Sequence, residues 1–304
     1  MIDVAVVGSL HLDIMVAAPR LPALDETLIG QSWGTKCGGK GGNQAVAAAR
    51  FGAKVAFGGQ TGADDFGERL RTNLVEAGVD ISCVGTDRLT GSGMSVAITE
   101  AHGEYGAVVV SGANLTFDPA AIGTAWAPLW NCKVLLLQNE IPEPVSLAAA
   151  RMAKERGAKV VLNAAPARPI GSSLLDLVDV LIVNRVEAKM MSGYDDANAA
   201  LDALRWSSRD VILTRGGEGL TLLARDGKRT DIAALDVQML SSHGAGDCFC
   251  GSFAARLAAG DKLVPACGYA RTAAGLFVAL PNEDQCALDH AAVLQREAAQ
   301  GGLR

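Results

Sequence analysis

The sequence predicts an α/β fold: a three-layer α/β/α arrangement around a mainly parallel sheet, with a small β-sheet lid. Short, continuous apolar segments recur along the chain and alternate with amphipathic segments that end at glycine. Glycine accounts for 35 of the 304 residues and proline for only ten, which indicates many tight turns between short elements. We expect a single domain over residues 1–304, because no repeat or low-complexity linker divides the chain.

Six apolar segments are predicted as strands that helices cover on both faces, because apolar runs without alternation are typical of buried parallel strands. They are residues 4–7, 55–57, 134–137, 160–162, 180–183 and 211–213. Three amphipathic segments between them are predicted as helices, at residues 43–50, 65–77 and 144–156. A glycine follows each helix closely and serves as its stop signal.

Two segments interrupt this alternation and are predicted to form the lid. Residues 13–36 show no helical period. Residues 94–99 and 105–110 have the character of paired strands, joined across a turn at 101–104. We therefore place lid insertions at about 13–36 and 94–111.

Composition excludes several classes of function. The chain has 27 basic and 33 acidic residues, a net charge of −6, which argues against nucleic acid as a partner. Its longest apolar stretch is about ten residues, half of what a membrane span needs. Seven cysteines, an odd number with no CxxC pair, indicate reduced thiols, and no signal peptide is recognisable. We expect a cytoplasmic protein without membrane contact.

The first candidate site is the glycine-rich segment GGKGGNQ at residues 38–44. Glycines before a helix allow close approach of a ligand to the backbone and leave N–H groups free to bind it. The segment almost matches a phosphate-binding P-loop. However, Gly41 follows Lys40 where Ser or Thr is needed, and no strand is predicted before it, so we reject that interpretation. Asn43 alternatively serves only as a helix N-cap.

The second candidate site is the segment SSHGAGD at residues 241–247, which leads into a predicted helix. It fails as a dinucleotide fingerprint because Phe249 occupies the third glycine position. Small residues at a helix N-terminus do expose N–H donors to an oxyanion or a phosphate. Asp247 lies in the first turn, where a carboxylate also complements the helix dipole without any catalytic role.

Polar residues follow four of the predicted strands. In open α/β sheets, ligands bind outside the carboxyl ends of the strands, so these residues are expected to share one site. Any one of them, taken alone, is equally typical of an ordinary loop. They are His11 and Asp13, Glu140, Asn184 and Glu187, and Thr214, Gly216 and Gly219.

Taken in order, these segments resemble the ribokinase-like sugar kinases, the PfkB family, and within it the ribokinase branch. The similarity covers nearly the whole chain. It is carried by GSLHLD, GGKGGNQAVAAARFGA, SGANLTF, QNEIP, LNAAPA, NRVEA, TRGGEG and GAGD. The family fold is a three-layer α/β body with a small β-sheet lid, which agrees with the prediction above.

The resemblance implies a role for each candidate residue. Asp247 is implied to be the catalytic base, and the backbone amides of Gly244, Ala245 and Gly246 to stabilise the transferring phosphoryl group. The implied sugar-binding residues are His11, Asp13, Gly39, Lys40, Asn43 and Glu140. For the nucleotide they are Asn184, Thr214, Gly216 and Gly219, with Glu187 organising the hydration shell of Mg²⁺.

The expected function is therefore ATP- and Mg²⁺-dependent transfer of the γ-phosphoryl group to a primary hydroxyl of a small, ribose-like sugar. A nucleoside kinase of the same family and a sugar-binding sensor without catalysis remain open alternatives. The resemblance also shows three departures from the family pattern. His11 replaces an asparagine that contacts sugar, Ser241 replaces an aspartate associated with monovalent cations, and Arg271 replaces a histidine near the adenine. Apolar lid strands also predict a homodimer joined through the lids.

Overall fold

The computed structural model describes residues 1–100, 105–205, 209–281 and 284–299. The strands are β1 (Ile2–Val7), β2 (His11–Ala17), β3 (Ser32–Gly38), β4 (Val55–Gly62), β5 (Asp80–Asp87), β6 (Gly93–Thr99), β7 (Tyr105–Val110), β8 (Cys132–Leu137), β9 (Lys159–Asn163), β10 (Val180–Asn184), β11 (Asp210–Thr214), β12 (Leu220–Leu223) and β13 (Arg229–Ile232). The helices are α1 (Lys40–Arg50), α2 (Asp65–Glu76), α3 (Ile122–Ala125), α4 (Glu143–Lys154), α5 (Ser172–Leu175), α6 (Arg185–Ser192), α7 (Ala197–Leu204), α8 (Ala245–Ala258), α9 (Leu263–Val278) and α10 (His290–Ala299).

Nine strands form one large sheet in the order β13-β12-β11-β10-β9-β8-β1-β4-β5. The seven strands from β11 to β5 in that order pair in parallel, and β12 and β13 add an antiparallel edge. The parallel pairing follows from the helical crossovers, which return the chain to the same end of the sheet. All carboxyl ends of these seven strands therefore lie along one edge.

Helices cover both faces of this sheet, as the continuous apolar strands predicted. Alternate residues of β1 enter two separate cores: Ala5 and Val7 pack with α4, whereas Val4 and Val6 pack with α1 and α8. Because both faces are buried, nearly every central strand position is apolar. The α/β/α layering is thus confirmed.

Four strands form a second, smaller sheet in the order β3-β2-β6-β7. Strands β2 and β3 extend slightly beyond the predicted segment 13–36, and β6 pairs antiparallel with β7 as predicted. The predicted turn at 101–104 lies outside the described residues. One sequence argument was wrong: β3 runs directly into α1, so a strand does precede the segment GGKGGNQ. It is an antiparallel lid strand, and the P-loop remains excluded by Gly41.

The three predicted helices correspond to α1, α2 and α4. Their glycine stop signals are confirmed, because Gly52, Gly78 and Gly157 all have positive φ. Across the described ranges, no helix is long and apolar enough to cross a membrane.

Candidate active site

The candidate residues converge at the carboxyl edge of the large sheet, under the four-stranded lid. The loops after β1, β8, β10 and β11 all open at this edge, as the parallel pairing requires. The N-termini of α1 and α8 reach the same place, and these two helices pack against each other along their lengths. Gly251 makes that packing close, because a Cβ there would lie 2.5 Å from the Gln44 carbonyl oxygen.

The N-terminus of α1 packs tightly against the end of β1. Gly39 is the N-cap, with φ of 82°, and a Cβ there would lie 2.8 Å from both the His11 nitrogen and the Ser9 oxygen. A Cβ on Gly41 would lie 2.6 Å from the Ser9 nitrogen. The glycine-rich segment therefore lets the backbone of α1 approach the backbone at Ser9–His11 closely, and only glycine fits at positions 39 and 41.

Glu140, directly after β8, connects α1 to β1. One carboxylate oxygen, Oε2, accepts bonds from the Lys40 backbone N–H at 2.8 Å and from the Ser9 hydroxyl. His11 Nδ1 lies 4.0 Å from the same oxygen. No bond among the described residues is made to Glu140 Oε1, so that oxygen is available to a ligand.

His11 is the first residue of lid strand β2 and is almost fully buried. Its Nε2 atom has no hydrogen-bond partner among the described residues. The ring packs against Gly93 on β6, where a Cβ would lie 2.4 Å from His11 Cδ2. A buried, unpartnered ring nitrogen beside other candidate binding residues is typical of a polar contact that a ligand supplies.

Asp13 lies two residues further along β2, on the same face of the lid as His11. The hydroxyl of Ser95 on β6 donates to Asp13 Oδ1. The other oxygen lies over Gly38, because a Cβ there would be 2.0 Å from Asp13 Oδ2. The lid therefore fixes this carboxylate in one orientation.

Asp247 is the third residue of α8 and is buried. Its Oδ2 accepts a bond from Asn43 Nδ2 at 3.1 Å, and its Oδ1 accepts one from Gln44 Nε2 at 3.0 Å. Burial raises the pKa of the Asp247 carboxyl, while the charge of Lys40 and the two amide bonds oppose that rise. Asn43 is the fourth residue of α1, so the interpretation of Asn43 as an N-cap was wrong.

Lys40 carries the positive charge at the centre of the site. Its burial favours the neutral amine, but the carboxylates of Asp247, Glu140 and Glu187 outweigh it and raise the pKa of Lys40 above its ordinary value. Three carboxylates from separate parts of the fold therefore act on one ammonium group, although none of them forms an ion pair with it among the described residues. The arrangement keeps Lys40 charged and partly neutralises the carboxylates.

A chain of buried amide side chains, which was not predicted from the sequence, supports Asp247. Gln44 Nε2 also donates to Asn163 Oδ1 at 3.1 Å, and Gln138 Nε2 donates to Gln44 Oε1 at 2.8 Å. Asn163 in turn donates to the Ile182 carbonyl. Polar residues at the buried ends of β8 and β9 were the available signal, because such residues need partners.

The N-terminus of α8 offers backbone donors, of which the Ala245 N–H already donates to the Ser242 carbonyl at 3.3 Å. Its N-cap Gly244 has φ of 83°, in the left-handed region, and no side chain caps the helix. The first N–H groups of a helix have no partner within it, and the helix dipole adds positive potential. The amides from Gly244 to Gly246 can therefore bind an anionic group.

Two cavities meet at this helix terminus. The first, of about 260 Å³, is lined by Thr214, Gly216, Gly219, Ala245 and Gly246, together with a largely apolar wall. The second, of about 190 Å³, is lined by Asn43, Gly244 and Asp247 and by Lys36 from the lid. Consecutive residues at the start of α8 thus line different cavities: Gly246 lines the first, and Asp247 lines the second.

Asn184 and Glu187 form a capping box at the start of α6. The Asn184 side chain accepts from the Glu187 N–H at 2.9 Å, and Glu187 accepts from the Asn184 backbone N–H at 2.8 Å. Burial raises the pKa of the Glu187 carboxyl, partly offset by Asn184 and Lys40. This pair lines neither of the two cavities, but Glu187 is close enough to Lys40 to raise its pKa.

The sequence matches the model of the pfkB family of carbohydrate kinases over residues 1–289. The chain belongs to the pfkB carbohydrate kinase family. Among curated relatives, ribokinase of Haemophilus influenzae is 33% identical over 279 residues, which cover 90% of this chain and 91% of that protein. Deoxyribokinase of Salmonella typhi is 32% identical over 259 residues, covering 83% and 84%.

Solved structures of the family show the same fold. Arabidopsis thaliana ribokinase, solved with ribose and ATP, has a TM-score of 0.91 and 27% identity, covering 97% of this chain and 98% of that one. The predicted family resemblance and fold class are therefore confirmed. As a pfkB carbohydrate kinase, the chain is an enzyme of the phosphotransferase class.

Proposed function

We propose that this protein transfers the γ-phosphoryl group of ATP to a primary hydroxyl of a small, ribose-like sugar. The observation that carries the proposal is that Asp247 lines the second cavity while the residue before it, Gly246, lines the first, both at the uncapped N-terminus of α8. A proton acceptor next to anion-binding amides is what in-line phosphoryl transfer requires. The relatives named ribokinase and deoxyribokinase support a pentose acceptor.

Asp247 acts as the general base in this proposal. It takes the proton of the attacking hydroxyl as that oxygen forms a bond to the γ-phosphorus, and the bond to the β-phosphate oxygen breaks. A raised pKa makes the carboxylate a stronger acceptor, and Asn43 and Gln44 hold it in place. The amides of Gly244, Ala245 and Gly246 stabilise the charge on the phosphoryl oxygens.

Sugar hydroxyls bind between the lid and α1. Asp13 and Glu140 accept hydroxyl protons, Asn43 both donates and accepts, and the backbones of Gly39 and Lys40 form the floor of the pocket. His11 supplies one more polar contact through Nε2. Of these residues only Asn43 lines the second cavity, whose wall also includes Val46, Ala47 and Phe277, so the nucleoside kinase alternative stays open.

The first cavity is proposed as the nucleotide site. Thr214, Gly216 and Gly219 line it, and its apolar wall suits a purine. Gly219 has φ of 90°, and a Cβ there would lie 2.1 Å from the Ile232 oxygen, so a side chain cannot occupy this position. Asn184 lies at the same edge of the sheet and is proposed to contact the phosphates.

The donor set fits a hydrated magnesium ion better than a directly bound one. No cluster of three metal-ligating side chains occurs among the residues that the structure describes. Mg²⁺ usually keeps several of its waters, so one carboxylate suffices to orient it. Glu187, held by Asn184, is proposed to accept from those waters, and the ion would neutralise phosphate charge during transfer.

The same proposal extends to partners and location. In the part of the chain that the structure describes, which includes all seven cysteines, no disulfide forms. This supports a reducing, cytoplasmic environment. Val108 and Val109 on the edge strand β7 are exposed, which supports a homodimer joined through the lids.

Phosphorylation of a panel of pentoses, hexoses, ketoses and nucleosides, with ATP and Mg²⁺, tests the function. We expect ADP release to depend on one of the small sugars, with the product phosphorylated at its primary hydroxyl. Release that depends only on nucleosides would establish the nucleoside kinase alternative. Sugar binding without ADP release from any acceptor would indicate a sensor.

A further inference from the structure

Helix α9 runs along one wall of the first cavity, so its residues distinguish the two ends of that cavity. Arg271, Ala274, Gly275 and Val278 line it, a spacing that places them on one face of the helix. The Val278 carbonyl accepts the Leu240 N–H at 2.8 Å, and the neighbouring Phe277 ring lies next to Gly244. Val278 therefore marks the end of the cavity at the α8 N-terminus, where phosphates are proposed to bind.

Arg271 marks the opposite end. It precedes Val278 by seven residues, roughly 10 Å along the helix axis at 1.5 Å per residue. Apolar side chains line the wall, among them Leu220, Leu235 and Val237. A nucleotide with its phosphates at the amides of α8 places its base in this apolar part, next to Arg271.

Arg271 is the one charged residue in the lining of this cavity. Its Nε atom is buried and has no hydrogen-bond partner in the described ranges. Within the same ranges no carboxylate lies within the 4.0 Å that would make an ion pair with it, although Glu297 and Arg296 are close enough to influence its pKa. A guanidinium group has hydrogen-bond donors and no acceptor. The edge of a nucleotide base that bonds to Arg271 must therefore present acceptor atoms.

We propose that Arg271 selects purine nucleotides with a 6-oxo group as phosphoryl donors. Guanine and hypoxanthine present O6 and N7 as two adjacent acceptors, which match the two donors of a guanidinium fork. Adenine presents N7 as an acceptor beside an N6 donor, so only one bond forms. GTP and ITP are therefore donors at least as efficient as ATP. This inference rests on the first cavity being the donor site of the proposed kinase.

Nucleotide binding tests this directly and without turnover. Titration calorimetry of the whole protein with GDP, IDP and ADP, in the absence of sugar, is expected to give roughly tenfold tighter binding for GDP and IDP. Arg271→Leu is expected to remove that preference, because GDP and IDP lose two bonds while ADP loses one and is weakened less. Arg296→Leu removes a neighbouring guanidinium that does not line the cavity, and it should keep the preference.

Two results would overturn the inference. One is ADP binding as tightly as GDP and IDP in the unmodified protein. The other is an equal loss of affinity for all three nucleotides in Arg271→Leu, which would show that Arg271 contacts the phosphates. If the leucine variant does not fold, Arg271→Gln takes its place in the same measurement. Failure of the proposed function looks different, because nucleotides would then bind with the stated preference while no sugar is phosphorylated.

Discussion

At the residue scale, His11 is the position from which we predict the choice of sugar. It replaces the asparagine of the family pattern, and its buried Nε2 has no partner in the described part of the protein. A buried polar group left without its partner costs about 1–3 kcal/mol, so a sugar that cannot reach Nε2 should bind poorly. We therefore expect the identity of the preferred sugar to depend on this ring.

We expect His11→Asn to improve the use of ribose relative to the preferred sugar, by roughly 5- to 150-fold in the ratio of kcat/KM values. Steady-state kinetics with both sugars measure this ratio. His290→Asn is the matched control, because His290 bonds to Tyr269 on α9 outside the site. If ribose is already the best substrate and His11→Asn leaves the ratio unchanged, the role given to His11 is wrong.

Gln44 controls the protonation of Asp247. Catalysis needs the deprotonated carboxylate, so kcat should fall as pH decreases through the Asp247 pKa, which burial raises above 3.8. Gln44 donates to this carboxylate and lowers its pKa. Removing the donor in Gln44→Leu should raise the pKa further and move the acid limb of the pH profile upward by about one unit.

Gln138→Leu provides the control for this pH shift. Gln138 belongs to the same amide chain but donates to Gln44 and makes no bond to Asp247. The control should therefore leave the midpoint of the acid limb in place. Equal shifts in both variants would show that general loosening of the site, and not the lost donor, moves the pKa.

At the scale of elements, the packing of α1 against α8 holds the Asp247 carboxylate next to the amide groups of Asn43 and Gln44. Gly251 permits that contact, because a Cβ there would lie 2.6 Å from the Ala47 Cβ. Gly251→Ala should therefore lower the free energy of unfolding by about 1–3 kcal/mol. It should also reduce kcat, since α8 carries Asp247 away from Gln44.

Chemical denaturation and kinetics of Gly251→Ala measure both effects. Gly123→Ala is the control, because the nearest atom to a Cβ at Gly123 is Met152 Sδ at 3.9 Å, an ordinary contact. Unchanged stability and activity in Gly251→Ala would show that the two helices have room to adjust.

The elements also show what the sequence could predict. All six strands predicted from continuous apolar segments lie in the large sheet. They could be predicted because burial on both faces makes nearly every residue of such a strand apolar. Strands β5, β12 and β13 were missed. They lie at or next to the sheet edges, and β5 and β13 include polar and charged residues that resemble a loop. Pairing with a neighbour, which the sequence does not display, makes them strands.

The site was predictable to a similar degree. Asp247, Glu140 and Lys40 were identified by position after strands and before helices, and the fold brings them together. The contact between Gln44 and Asp247 joins residues 203 positions apart. Only the packing of α1 on α8 creates it, so no local pattern could have revealed it.

At the scale of the whole molecule, the lid edge predicts assembly. Strand β7 is an edge strand whose Val108 and Val109 are 67% and 59% exposed. Edge strands with apolar side chains pair readily with another copy. We expect a homodimer, measured as twice 31.3 kDa by light scattering, and we expect Val109→Asp to shift it toward monomer.

Leu89→Asp is the control for the lid interface, because Leu89 is also apolar and is even more exposed, at 98%, but lies outside the lid strands. It should leave the mass unchanged. A monomer for the unmodified protein, or a dimer that persists in Val109→Asp, would remove the lid from the interface.

The central claim is that Asp247 is the base for phosphoryl transfer to a sugar, and Asp247→Asn tests it most directly. The experiment measures turnover with the best sugar by steady-state kinetics and the affinity for that sugar by calorimetry. General-base assistance is worth about 10²–10⁴-fold, so we expect kcat to fall by that factor while the sugar still binds. A variant that keeps more than about a tenth of the original turnover would contradict the claim.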